Sequence, residues 1–192
     1  MLLAIDVGNT NIVLGIFDGD RLVTSWRLLT LRERTADEVG VMVAGLLGQE
    51  RIDPGSITSV VMSSVVPPLT PIMRGMVRRY FGRDTLIVDP TSNAGMPILY
   101  ENPAEVGADR IANSIAAYER YGRKSGMPLI IADLGTTTTF DAAAKLPSTA
   151  EDTGFRTAVW SLWIDPGKDA YVVAADHTER WPRSKDPSLG CL

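Results

Sequence analysis

Near the start of the chain, Asp6-Val7-Gly8-Asn9-Thr10-Asn11 groups residue types that handle anionic oxygen. Gly8 leaves the backbone open to a ligand, with positive φ available at little steric cost. Asn9, Thr10 and Asn11 add short donors beside exposed backbone N–H groups. Asp6 would repel a phosphate, so its use would be to hold a hydrated Mg²⁺ that bridges to one; this ion favours one or two carboxylates plus phosphate oxygens. The plain alternative for a single turn of this kind is a polar hairpin.

The pattern occurs twice. Leu3-Ala4-Ile5 leads into Asp6, and Ile130-Ile131-Ala132 leads into Asp133-Leu134-Gly135-Thr136-Thr137-Thr138. Both copies continue to a Phe-Asp pair, Phe17-Asp18 and Phe140-Asp141, at different spacing. Similarity at domain-length separation suggests duplication, with chance recurrence of common elements as the alternative. Two such turns facing across a cleft could grip one polyphosphate, each supplying N–H groups and a carboxylate.

Between them lies the polar cluster Glu101 to Asn113, with Asp109 and Arg110 adjacent near a helix start. An acid there interacts favourably with the helix dipole, and an arginine can reach an anion through its planar fork. Phosphoryl transfer needs a group to orient or deprotonate the accepting hydroxyl, and the rest of the catalysis is positioning and charge neutralisation. Asp109 fits that task and Arg110 fits a substrate carboxylate. The alternative is a helix-start acid paired with a surface base.

The elements that must carry these residues read as follows. Asn-Thr-Asn is flanked by strands ending at Val7 and running over 12–17, and Asp18-Gly19-Asp20 turns into a third strand over 22–28. A helix is expected from Thr35 to Gly48, with Thr35 and Glu38 as a capping box and Ala36, Val39, Val43, Leu46 and Leu47 close to one face. A buried strand over 57–64, a helix from Pro67-Pro68 to Tyr80 and a short strand over 85–88 follow. Arg74, Arg78 and Arg79 read as a solvated face of that helix. Residues 91–103 form a loop rich in turn formers. A helix is expected from Ala104, with Ile111, Ile115 and Tyr118 on one side, stopped by Gly122, Gly126 and Pro128. Hairpin strands mixed with crossover units give an α/β fold with a mixed sheet flanked by helices.

The 192 residues suffice for one large domain or two small ones. A hydrophobic share of 45% with 22% charged residues is that of an ordinary globular chain, and a net charge of −4 gives no basic footprint for nucleic acid. No apolar run has membrane-spanning length and no leader precedes the first strand, so the expectation is a cytoplasmic protein with no membrane partner. The single Cys191 excludes an intramolecular disulfide.

DVGNT at Asp6–Thr10, ENPAEVGADRIAN at Glu101–Asn113 and DLGTTTTFD at Asp133–Asp141 together resemble type III pantothenate kinase, of the acetate-kinase/sugar-kinase/Hsp70/actin superfamily. The resemblance covers about residues 1–142 and implies two ribonuclease-H-like (actin-like ATPase) domains, over 1–105 and 106–192, the second incomplete. It implies ATP-dependent phosphorylation of pantothenate to 4′-phosphopantothenate at the start of coenzyme A synthesis. It further implies Mg²⁺, a monovalent cation (K⁺ or NH₄⁺) and a homodimer formed through the second domain. By position, Asp109 would be the general base, and Asp6 would belong to the metal and phosphate site with Gly8, Asn9, Thr10 and Asn11. Tyr100, Gly107, Ala108 and Arg110 would line the pantothenate pocket. Asp133 would serve the monovalent cation, and Gly135, Thr136, Thr137 and Thr138 would hold phosphate. The alternative is a catalytically weak member that binds nucleotide as a regulator, or a truncated gene product.

The likeness stops after Asp141, where Ala142 to Pro147 follow without the family's Gly-rich loop. Strands are expected within 155–164 and 170–175, and loop from Trp181 to Leu192. Trp160, Trp163 and Trp181 read as packing residues of this tail, while the lone His177 and Cys191 carry no pattern of their own.

Overall fold

The structure, a computed structural model, describes residues 1–90, 98, 102–134, 138–143 and 160–163, with backbone alone for Thr138 and for 160–163. Three strands open the chain, β1 (Leu2–Val7), β2 (Asn11–Asp18) and β3 (Arg21–Leu29). Gly19 takes the left-handed backbone conformation (φ 59°) that the two-residue turn between β2 and β3 requires. Helix α1 (Ala36–Gln49), strand β4 (Ser59–Ser64), helix α2 (Leu69–Phe81) and strand β5 (Thr85–Val88) complete the first unit. The strands lie in the order β3-β2-β1-β4-β5, antiparallel across β1–β2 and β2–β3 and parallel across β1–β4 and β4–β5. The mixed sheet expected from the sequence is therefore present.

Alternation decides which face is covered. Leu3, Ile5 and Val7 of β1, with Ile12, Leu14 and Ile16 of β2, point to the side packed by α1 and α2. Val39, Val43 and Leu47 from α1 and Leu69, Met73, Met76 and Val77 from α2 close this core. Thr35 caps α1 as expected: Glu38 N–H donates to its hydroxyl (3.3 Å), and its own N–H donates to the Glu38 carboxylate (2.7 Å). Ala4 and Asp6 of β1, Val13 and Gly15 of β2 and Ser63 of β4 point the other way, toward the site.

Helix α3 (Ala108–Ala117) starts later than the sequence pattern suggests, because Pro103–Glu105 forms a separate 3₁₀ turn ahead of it. It also passes through Gly122 as a π-helical turn over Tyr118–Gly122, where the Tyr118 ring packs against the glycine. The helical stretch ends at Gly126, whose φ of 67° is the left-handed stop. Strands β6 (Leu129–Leu134), β7 (Thr138–Ala143) and β8 (Trp160–Trp163) form an antiparallel sheet in that order. Strand β8 falls inside the expected 155–164 strand, and the expected strand over 170–175 lies outside the described residues. Helix α3 packs between the sheets, touching β4 and β5 on one side and β6 and β7 on the other.

Candidate functional site

Asp6 stands one residue before the end of β1, beside its parallel neighbour Ser63. The turn after it closes through a Gly8 N–H bond to the Asn11 carbonyl (3.0 Å). Gly8 is not among the residues with positive φ. What requires glycine there is space, since a Cβ would stand 3.0 Å from the Asn11 carbonyl oxygen. Thr30, just past β3, braces the turn twice: its hydroxyl donates to the Gly8 carbonyl (2.7 Å) and its N–H to the Thr10 carbonyl (2.9 Å). Asn9 and Thr10 are left exposed at the tip.

A cavity of about 780 Å³ runs from this turn to α3 and β6. Asp6, Gly8, Asn9, Thr10 and Asn11 line it from the first sheet, Asp109 and Asn113 from α3, and Asp133 and Thr139 from the second sheet. Asp109, Ala112 and Asn113 reach it together because residues three and four apart share one helix face. The two expected halves, Asp6 to Asn11 and Asp133, thus open on one space with Asp109 between them.

The electrostatics are those of a cation-seeking site. Asp6 is exposed to the cavity, and the partial desolvation its walls impose raises the carboxylate's proton affinity above the ordinary range. The Asp109 charge raises it further, Asp133 adds to it, and the Ser63 hydroxyl works the other way. Among the described residues no three acidic, histidine or cysteine side chains stand close enough to cage a metal. Mg²⁺ needs only one or two carboxylates if water and phosphate oxygens complete its shell, so the donor set fits a cation that arrives with a nucleotide.

Two contacts tie α3 to the second sheet. Asn113 Nδ2 donates to Asp133 Oδ2 (2.9 Å), and the Arg110 guanidinium grips Asp141 Oδ1 through Nε (2.9 Å) and a terminal nitrogen (2.6 Å). Burial pushes the Asp141 carboxyl upward, Arg110 opposes this, and Asp109 and Asp133 add to the rise. At the start of α3, Gly107 is the N-cap without a side-chain bond, and a Cβ on it would stand 2.5 Å from Asp109 Oδ1. That oxygen accepts the Arg110 backbone N–H (2.8 Å). Ala108 is buried behind it. Tyr100, Gly135, Thr136 and Thr137 lie outside the described residues, and Thr138 begins β7.

The Phe-Asp echo is not a structural equivalence. Asp6 pairs with Val13 and Asp133 with Thr139, so the counterpart of Phe140 is Leu14 and that of Asp141 is Gly15. Asn113 and Ser63 line the cavity and Asp141 holds Arg110, roles that the sequence pattern does not assign to them. Helical spacing from Asp109 points to Asn113, whereas Ser63 and Asp141 depend on strand pairing that no local pattern encodes.

A family model described as type III pantothenate kinase matches residues 2–147. The chain belongs to the type III pantothenate kinase family. It is 52% identical over 144 residues to a type III pantothenate kinase of Myxococcus xanthus, covering 75% of this chain and 55% of that protein. It is 54% identical over 141 residues to one of Geobacter sulfurreducens, covering 73% and 54%. The chain thus spans little more than half the length of these relatives. Among solved structures, a ROK hexokinase of Thermus thermophilus is similar at 16% identity and a TM-score of 0.42, over 81% of this chain and 47% of that one. Among the described residues no helix is long and apolar enough to cross a membrane.

Proposed function

We propose that this chain phosphorylates pantothenate at the expense of ATP, giving 4′-phosphopantothenate and ADP as the first step of coenzyme A synthesis. The observation that carries the reading is the convergence of the Gly8–Asn11 turn, Asp133 and Asp109 on one cavity. The turn's N–H groups with Asn9 and Thr10 would take the phosphates, and Thr136 to Thr138 would hold phosphate as well. Asp6 would hold Mg²⁺, which supplies neutralisation of the charge on the phosphate oxygens. Asp133 would hold a monovalent cation, K⁺ or NH₄⁺. Tyr100, Gly107, Ala108 and Arg110 would receive pantothenate, with Arg110 on its carboxylate.

In this scheme Asp109 accepts the proton of the pantothenate hydroxyl as that oxygen bonds to the γ-phosphorus in line with the departing ADP oxygen. Its place in the first turn of α3 fixes it, and Gly107 leaves room for it to face the cavity. Domains over 1–105 and 106–192 are supported by the turn at Pro103–Glu105, which directly precedes the helix lying between the sheets. A cytoplasmic homodimer formed through the second domain is supported by the family membership, and the acidic net charge of −4 supports partners other than nucleic acid.

The test is pantothenate-dependent ADP release in a coupled assay with Mg²⁺ and K⁺. We expect turnover that Asp109→Asn lowers about 10²- to 10⁴-fold. Absence of turnover, or equal turnover in the two proteins, would overturn the reading.

A further inference from the structure

Arg110 forms a buried charge pair with Asp141, a residue to which the reaction scheme gives no task. The Asp141 side chain has 0% exposure and that of Arg110 has 11%. Both guanidinium contacts fall on the same oxygen, Oδ1, at 2.9 and 2.6 Å. Among the described residues the other oxygen, Oδ2, is buried without a donor. The pair therefore departs from the fork-to-fork form in which each carboxylate oxygen takes its own N–H. As a source of stability such a pair is poor, because desolvating two charges offsets much of their attraction. Its effect is geometric.

A guanidinium carries five donors in a rigid plane. With Nε and one terminal nitrogen fixed on Asp141, the direction of the remaining donors is set. Three carboxylates, Asp6, Asp109 and Asp133, line the neighbouring cavity, and Asp109 is the residue preceding Arg110. An untethered guanidinium would be drawn onto those acids instead of being kept for an incoming anion, and it would neutralise the proposed base.

We propose that Asp141 is a positioning residue, which anchors Arg110 so that its remaining donors receive the substrate carboxylate and stay off Asp109. This rests on the kinase reading above. The register adds to it: the first hairpin carries Gly15 at the position equivalent to Asp141, so the acid belongs to the half that must hold an arginine.

The experiment compares steady-state kinetics of the full chain and its Asp141→Asn variant on pantothenate and on the corresponding primary amide, which lacks the carboxylate. Asp141→Asn should raise KM for pantothenate about tenfold or more, the scale of a hydrogen bond to a charged group, with little change in KM for the amide. The double variant Arg110→Gln/Asp141→Asn should be no worse than Arg110→Gln alone, since both changes act through one contact. Where Asp141→Asn unfolds without cooperativity, Asp141→Glu, which keeps the charge and displaces the guanidinium, should show the same carboxylate-selective rise. An equal KM rise on both substrates, or a double variant worse than Arg110→Gln, overturns the proposal and makes Asp141 a packing residue. An unsubstituted chain inert on both substrates overturns the kinase reading itself, and this proposal with it.

Discussion

The two Asp-bearing hairpins share a pattern and differ in what stands behind them. Strand β1 is central in a five-stranded sheet, and its Leu3, Ile5 and Val7 are at most 3% exposed beneath two helices. Strand β6 leaves Ile130 and Leu134 at 66% and 81% exposure, and its inner face meets α3. Asp6 is consequently held by a packed core, whereas Asp133 is held by a side-chain tie from Asn113, with the Arg110–Asp141 pair beside it. A ligand site assembled from both halves takes rigidity from one and polar contacts from the other. The position of the second half should therefore respond to single polar substitutions that the first would tolerate.

Truncating the first core should show the contrast most strongly. Met73→Ala removes a fully buried side chain of α2 and should cost about 2–5 kcal/mol in denaturant unfolding. Ile130→Thr, a β-branched exchange on the exposed face of β6, should stay within about 0.5 kcal/mol. Comparable losses at the two positions would mean that the second sheet has a covered core after all.

The helix ends give a smaller contrast. Thr35→Ala removes the cap of α1 and should lower stability by about 1 kcal/mol. Gly107→Ala at the start of α3 touches no capping bond and places a Cβ against Asp109 Oδ1, so it should lower turnover more than stability. A thermal shift without an activity change would contradict this assignment.

The smallest effect concerns pH. The pKa of Asp6 is raised above the ordinary carboxylate value of 3.8, so the folded state keeps that proton to higher pH than the unfolded chain does. Its contribution to stability is complete below 3.8 and is lost as pH rises through the raised folded value. Asp6→Asn removes this loss. The stability difference between variant and parent should grow in the variant's favour from pH 3 to neutrality, at the expense of function. Parallel unfolding curves across that range would show that the Asp6 charge is not strained.

Much of this was legible in the sequence. Alternation and turn residues placed β1 to β5, the Thr35/Glu38 pair placed the start of α1, and three ordered motifs named the family. The delayed start of α3 was hidden because Ala104 and Glu105 suit a helix, while Pro103 draws them into a separate turn. The passage of the helix through Gly122 depends on the Tyr118 ring. The Phe-Asp echo misled because sequence spacing does not reveal strand register. Ser63 reaches the cavity, and Asp141 reaches Arg110, through tertiary pairing alone.

In the proposed function the two hairpins act as one clamp on a magnesium-bound nucleotide. Calorimetric titration of MgATP into the full chain, Asp6→Asn and Asp133→Asn tests it most directly. Binding should be saturable and Mg²⁺-dependent, and each substitution should weaken it. Absence of binding to the full chain, or equal affinity in all three proteins, would contradict the clamp.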